Sequence, residues 1–263
     1  MSLVFAALTP HPPLLIENIG KENIAKIKKT KEALERLEED LYLAHPQVIF
    51  IISPHEGIHK EAFVVNVHEK FTSSFEEFGD VVTTKSWAGG GDFGARLAHA
   101  GDNYHLPIRL INEEKIKYGA TVPLTYLTAH LPEVKIVPIG YSGLSNKEHV
   151  AFGELLKEII LVSPKRIAVI ASGDMSHCLT KKSPAPYSSK GKEFDEKIQE
   201  LLHTRNTLGL TQIEEPIVNQ SHQCMYQSLL ILLGILKNID YQFENYCYEH
   251  PFGVGYLTGN FRF

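Results

Sequence analysis

The chain has 263 residues, of which 43% are hydrophobic and 22% charged, and its formal net charge at pH 7 is −5. This composition is ordinary for a globular protein, and no lysine and arginine cluster combines with aromatic residues, so we expect neither nucleic acid nor a membrane as partner. Three cysteines without CxxC spacing, no signal-peptide pattern and no aliphatic stretch long enough to span a bilayer predict a reduced, cytoplasmic protein.

The predicted elements alternate between strands and helices along the chain. A strand at 3–8 is followed by an amphipathic helix at 21–44. Further strands are expected at 47–52, 62–67, 107–111, 134–140 and 165–171, and helices at 92–104, 146–161, 190–206 and 222–237. Two strands at 240–248 and 253–262 close the chain. This order predicts an α/β fold, with a central mixed β-sheet flanked by helices on both faces in a single domain, residues 1–263.

Three of the buried-type strands each end in a loop that carries a histidine. These residues are His11 after the strand at 3–8, His55 after the strand at 47–52 and His177 after the strand at 165–171. Ligands of open α/β sheets bind outside the carboxyl ends of strands, so histidines placed there can converge on one site. A lone histidine is more often structural, but three in equivalent positions favour a metal or acid/base centre.

The residue types in these loops suit metal chemistry. Two neutral imidazoles and one anionic ligand bind Fe(II), Zn or Mn and leave coordination positions open. A third histidine can then act as general acid or base near neutral pH. Asp174 could orient the ring of His177 through a carboxylate hydrogen bond, and a turn-forming role for Asp174 explains it equally well.

Four ordered motifs resemble those of the LigB superfamily. They are Thr9-Pro-His-Pro-Pro13, Ser53-Pro-His55, Gly119-Ala-Thr-Val-Pro-Leu124 and Ser172-Gly-Asp-Met-Ser-His-Cys-Leu179. This superfamily contains the catalytic subunits of class III extradiol ring-cleavage dioxygenases and the related Memo-type proteins. The resemblance runs from residue 9 to about residue 257. The closing segment, 248–257, is most similar to the branch found in the AmmeMemoRadiSam gene system.

The resemblance implies a non-haem Fe(II) centre that binds a catecholate and dioxygen and opens the ring beside the diol. His11 and His55 match the two metal histidines, and His177 matches the acid/base histidine. The glutamate that is the third ligand in the dioxygenases has no counterpart here. Memo proteins use a cysteine, which Cys224 matches, so Cys224 is the expected third ligand and His222 the second choice. A buried, inert Cys224 is the alternative.

Two departures from the dioxygenase pattern leave the reaction open. A thiolate ligand is softer than a carboxylate and favours zinc or a different iron chemistry. Tyr118 stands where the dioxygenases carry a histidine, and a phenol can donate a hydrogen bond but does not titrate near pH 7.

We therefore expect a class III extradiol dioxygenase-like oxidoreductase acting on a small aromatic diol and dioxygen, with Fe(II) as the metal and zinc as the alternative. A Memo-like metal-binding redox or regulatory protein without ring cleavage, and a zinc-dependent hydrolase at the same site, are the rival interpretations. A homo-oligomer is expected, and a small partner subunit over the site is possible in this family.

Overall fold

A large mixed sheet is the framework of the chain in the computed structural model, which describes residues 2–57 and 59–263. Its strands are β1 (Leu3–Thr9), β2 (Val48–Ser53), β3 (Phe63–Asn66), β4 (Lys70–Ser73), β5 (Ser86–Gly89), β6 (Ile108–Ile111), β7 (Lys115–Ile116), β8 (Lys135–Gly140), β9 (Ile167–Ser172), β10 (Gln242–Glu249) and β11 (Tyr256–Arg262). The strand order is β10-β11-β1-β9-β2-β8-β5-β4-β7, and β3 pairs with both β8 and β6.

Helices connect and cover these strands. They are α1 (Glu17–Gly20), α2 (Lys28–Leu43), α3 (Asp92–Tyr104), α4 (Tyr118–Leu127), α5 (Asn146–Leu161), α6 (Ser189–His203), α7 (Thr207–Thr211), α8 (Glu215–Gln220) and α9 (Tyr226–Ile235). None of the helices in the described part of the chain is long and apolar enough to cross a membrane.

Both faces of the sheet are buried under helices. Successive side chains of a strand point to opposite faces, and all six residues of β2 are buried. Phe50 packs in one hydrophobic cluster with Phe152 of α5, whereas Ile51 packs in a second cluster with Leu41 of α2 and Leu124 of α4. The predicted α/β fold, with a central mixed sheet and helices on both faces, is confirmed.

The four central strands run parallel and bring their carboxyl ends to one edge. β1 pairs with β9, β9 with β2, and β2 with β8, all in parallel. In this register Thr9 lies opposite Ser172, and Ser53 lies opposite Gly140. The loops that follow β1, β2 and β9 therefore start side by side, and these are the loops that carry the three histidines.

Several predicted boundaries were wrong. The helix predicted at 21–44 is a 3-10 helix over Lys21–Ile27 followed by α2. The helix predicted at 222–237 begins only at Tyr226, because residues 221–225 form turns and bends in which His222 adopts a left-handed backbone conformation with φ of 53°. Helix α4 was not predicted, since Gly119 and Pro123 both disfavour a helix interior.

Candidate metal centre

Three potential metal-binding side chains meet at the carboxyl edge of the parallel strands. The ligand atoms of His11, His55 and Cys224 all lie within 4.8 Å of one another, and Cys224 Sγ is 3.6 Å from His11 Nε2. His11 is only 2% exposed, while His55 and Cys224 are half-buried. The cluster therefore joins residues from the loops after β1 and β2 with the turn that precedes α9.

Hydrogen bonds fix the tautomer of His11. Ser172, at the end of β9, donates its hydroxyl hydrogen to the carbonyl oxygen of Gly119. Its oxygen is then the acceptor for His11 Nδ1, 2.9 Å away, so Nδ1 carries the ring proton. The lone pair of His11 is consequently on Nε2, the nitrogen that faces Cys224, as a metal ligand requires.

Pro123 leaves an acceptor free for the Ser172 hydroxyl. Proline has no N–H, so Pro123 in α4 leaves the carbonyl oxygen of Gly119, four residues earlier, without its usual helical donor. The Ser172 hydroxyl takes the vacant place. Gly119 and Pro123 thus influence the site through Ser172 and His11.

Cys224 is held against the loop that follows β9. The Asp174 N–H donates to Cys224 Sγ at 3.2 Å, and the Cys224 N–H donates to the Asp174 carbonyl oxygen at 3.2 Å. The approach of the two segments requires Gly173, because a Cβ there would lie 2.3 Å from Met225 Cα. His222 is exposed and lies outside the cluster.

His55 lies under an aromatic ring. Tyr118 stacks on the His55 ring with ring centroids 4.3 Å apart and an interplanar angle of 27°. The His11 ring meets the His55 ring edge-on, with ring centroids 5.0 Å apart. Gly119 gives His55 its space, since a Cβ there would lie 2.7 Å from His55 Cδ2. His55 Nε2 is buried and has no hydrogen-bond partner among the described residues. A buried ring nitrogen without a hydrogen-bond partner fits a metal ligand.

Electrostatics keep both imidazoles neutral. Burial lowers the pKa of His11 to about 3, and the charge of His177 adds to this effect. Burial likewise lowers the pKa of His55 to about 3, with smaller contributions from His11, His177 and Lys117. Both rings therefore offer lone pairs at neutral pH.

The two acidic groups of the site respond to burial in the opposite direction. Burial raises the pKa of Asp174 to about 6, and burial followed by the Asp174 charge raises the pKa of the Cys224 thiol well above its usual range. A bound cation would reverse this effect on the thiol, because a coordinating thiol is deprotonated by the metal. The donor set of two neutral histidines and one ionisable thiol thus fits a transition metal such as zinc or iron.

His177 and Asp174 lie beside the cluster, but Asp174 does not orient His177 as expected. The Asp174 carboxylate accepts a hydrogen bond from the His11 backbone N–H at 2.8 Å. His177 Nδ1 is buried and lacks a hydrogen-bond partner within the described ranges. Asp174 therefore secures the His11 loop, and the backbone of His177 is held instead through its N–H, which donates to Ser221 O at 3.0 Å.

Sequence reasoning assigned no role to Ser172 or Gly119. Ser172 could have been identified from its place at the end of a strand that runs parallel to β1. The contact of Gly119 with Ser172 depends on α4, which the sequence did not predict.

Comparisons with known proteins indicate the family of the chain. The family model described as the catalytic LigB subunit of aromatic ring-opening dioxygenase matches residues 5–259. Protein CA_C1420 of Clostridium acetobutylicum is 27% identical over 265 residues, covering 97% of this chain and 57% of that protein. The chain thus spans little more than half the length of this curated relative.

A solved structure supports the fold independently. The uncharacterized protein JW3007 from Escherichia coli K12 superposes with a TM-score of 0.69 at 17% identity, covering 98% of this chain and 99% of that one. At this identity the likeness concerns the fold alone. Because the family model covers nearly the whole chain, as the ordered motifs predicted, the chain belongs to the LigB family of catalytic subunits of aromatic ring-opening dioxygenases.

Proposed function

We propose that this chain is a class III extradiol-type dioxygenase that binds non-haem Fe(II) through His11, His55 and Cys224. The observation that carries the proposal is the cluster of these three ligand atoms within 4.8 Å of one another. Membership of the LigB family supplies the reaction type, the oxidative opening of an aromatic ring. The substrates would be a small aromatic diol and dioxygen, both atoms of which would enter the product as the ring bond beside the diol breaks.

A three-residue ligand set suits this chemistry. Bound iron would offer open coordination positions to the diol oxygens and to dioxygen. His11 and His55 would bind it as neutral donors, and Cys224 would contribute one negative charge. Burial of His11 and stacking of Tyr118 on His55 would keep bulk water away from one side of the centre.

His177 would move the proton. A diol hydroxyl must lose its proton before its oxygen binds as an anion, and a half-buried imidazole beside the cluster can accept it. Tyr118 would act differently. Burial, followed by the charges of Cys224 and Asp174, raises the pKa of its phenol above its usual value. Tyr118 therefore stays protonated and can donate a hydrogen bond but not serve as the base.

Turnover of diols tests the proposal. The protein is purified anaerobically, its metal content is determined, and Fe(II), air and a panel of catechols are added while coloured ring-fission products are followed. Ring-fission product in the parent, lost in His177→Gln with iron content unchanged, would support the proposal. His203→Gln, at the end of α6, is the matched control and should retain activity. Unchanged iron content in Cys224→Ala would overturn the ligand assignment.

A second candidate is a Memo-like metal-binding redox or regulatory protein that does not open rings. The presence of a thiol ligand at Cys224 and of a phenol at Tyr118 favours it, because both differ from the dioxygenase pattern. Iron that is bound by the parent without turnover of any diol would select this candidate. Stoichiometric zinc with cleavage of esters or amides would select a hydrolase instead.

We further propose that the protein works in the cytoplasm as a single domain and as a homo-oligomer, with a small partner subunit possible over the site. The three cysteines are free, and a reducing compartment would keep the Cys224 thiol available for metal. Light scattering after gel filtration, with and without metal, tests the oligomeric state. A monomer under both conditions would contradict it.

A further inference from the structure

A buried carboxylate on α6 contacts the loop that carries His177. Asp195 is 1% exposed, and its Oδ1 accepts the Ser176 N–H at 2.9 Å. Its Oδ2 accepts the Tyr248 hydroxyl at 2.6 Å. Ionised carboxylates are rarely buried without a purpose, since removal from water is costly unless hydrogen bonds compensate. The two partners here connect the loop after β9 to the end of β10.

The loop is held from both sides at Ser176. Its carbonyl oxygen accepts the Gly255 N–H at 2.9 Å, while its N–H is bound by Asp195. Gly255 also packs directly against the carboxylate, because a Cβ there would lie 2.3 Å from Asp195 Oδ2. Both backbone groups of the residue that precedes His177 are therefore fixed.

We propose that Asp195 is a positioning residue that fixes the His177 ring beside the metal centre by binding the Ser176 N–H, with Tyr248 orienting its carboxylate. The inference rests on the proposed proton-transfer role of His177. His177 has a buried Nδ1 without a partner in the described part of the chain, so its ring is located by the backbone rather than by a side-chain hydrogen bond. Loss of the Asp195 contact would let the ring leave its place while the metal ligands stay.

Four variants separate positioning from general stability. Asp195→Ala removes both hydrogen bonds, and Asp195→Asn keeps an oxygen that can accept the Ser176 N–H. Ile198→Ala is the matched control, because Ile198 is a fully buried core residue of the same helix whose apolar side chain has no hydrogen bond to lose. Tyr248→Phe removes one partner and leaves Asp195 in place, which keeps the proposal testable if Asp195→Ala does not fold.

Activity gives the first measurement. We expect Asp195→Ala to lower kcat at least tenfold with KM and iron content unchanged, Asp195→Asn to regain most of it, and Tyr248→Phe to give an intermediate loss. Ile198→Ala should lower the melting temperature, but at temperatures below its melting transition its kcat should equal that of the parent. Equal losses of kcat in Asp195→Ala and Ile198→Ala would overturn the proposal.

A second measurement does not depend on turnover. In the zinc-loaded protein, Asp195→Ala should speed amide exchange at Ser176 at least tenfold relative to Ile198→Ala and shift or broaden the His177 Cε1–H resonance. That resonance is assigned by its absence from His177→Gln. If no diol is turned over, the proposed function fails, and this measurement alone decides the role of Asp195. Amide exchange at Ser176 and a His177 Cε1–H resonance like those of the parent in Asp195→Ala would overturn the positioning role of Asp195.

Discussion

Replacement of Gly173 by alanine should move Cys224 away from the metal centre. The added Cβ would lie 2.3 Å from Met225 Cα and 2.9 Å from Met225 N. Ordinary van der Waals contact begins at 3.4 Å, so the two backbones must separate by about 1 Å. The obstacle is main chain and cannot rotate aside. We therefore expect a loss of stability at the upper end of the overpacking range, about 1–3 kcal/mol.

The same displacement should weaken metal binding. Cys224 Sγ accepts the Asp174 N–H at 3.2 Å and lies 3.6 Å from His11 Nε2, so a shift of this size breaks the first contact and opens the second. Disturbed support of a ligand typically lowers metal affinity 10- to 100-fold, about 1.4–2.7 kcal/mol. The unfolding and the binding effects are separate and are measured separately.

Chelator competition under anaerobic conditions gives the affinity for Zn²⁺ and Fe²⁺, and thermal unfolding without metal gives the stability. Cobalt(II) substitution adds a direct readout, because a thiolate ligand produces a charge-transfer absorption. Gly91→Ala is the matched control, since the only atom within 4 Å of its added Cβ, among those described, is Val67 O at 3.1 Å. Parent-like affinity and charge-transfer absorption in Gly173→Ala would refute the reasoning.

Three further predictions follow from the same geometry. Ser172→Ala should lower metal affinity about 10- to 100-fold, because His11 Nδ1 loses its acceptor, and Ser172→Thr should restore the affinity. Metal affinities equal to that of the parent for both variants in chelator competition would contradict this. Metal affinity should rise with pH, because burial raises the pKa of Cys224 and binding must release its proton; Cys224→Ala should flatten that dependence, and an unchanged slope would count against thiolate ligation. Burial raises the pKa of Asp195 from 3.8 to about 6, so between these pH values the folded state binds more protons than the unfolded state. The free energy of unfolding should therefore fall by up to about 3 kcal/mol as the pH rises from 3.8 to 6. In denaturant titrations, a difference in unfolding free energy between the parent and Asp195→Asn that does not change with pH would contradict this.

The central strands and the convergence of the histidine loops could be predicted because both depend on short-range patterns. Short hydrophobic runs marked β1, β2 and β9, and parallel pairing then brought Thr9 and Ser172 to the same level. The positions of His11, His55 and His177 followed from where their strands end. No contact between distant side chains had to be known.

The position of Cys224, the proposed third ligand, depended on local turn chemistry that the sequence does not display. Periodicity favoured a helix from residue 222, but the Gln223 side chain accepts the Tyr226 N–H at 2.6 Å and the helix begins there. His222 adopts a positive φ, which is uncommon for a residue other than glycine. Such a turn exposes His222 and directs Cys224 inward, although the two residues lie in the same short segment.

Asp174 shows why a residue's partner is harder to predict than its location. Its place three residues before His177 suggested a local hydrogen bond, but its carboxylate reaches the His11 backbone N–H across a sequence separation of 163 residues. That contact exists because β1 and β9 are neighbours in register. The expected partner was nearby in sequence, whereas the observed partner was set by the sheet.

The Gly119 to Leu124 motif connects the fold to the chemistry more closely than its composition indicates. A proline inside a helix is normally destabilising because it removes one hydrogen bond. Here Pro123 leaves the Gly119 carbonyl oxygen to the Ser172 hydroxyl, which in turn accepts the His11 ring proton and places the His11 lone pair on Nε2. The small size of Gly119 also admits the His55 ring. One short helix thus sets the tautomer of one histidine and the position of the other.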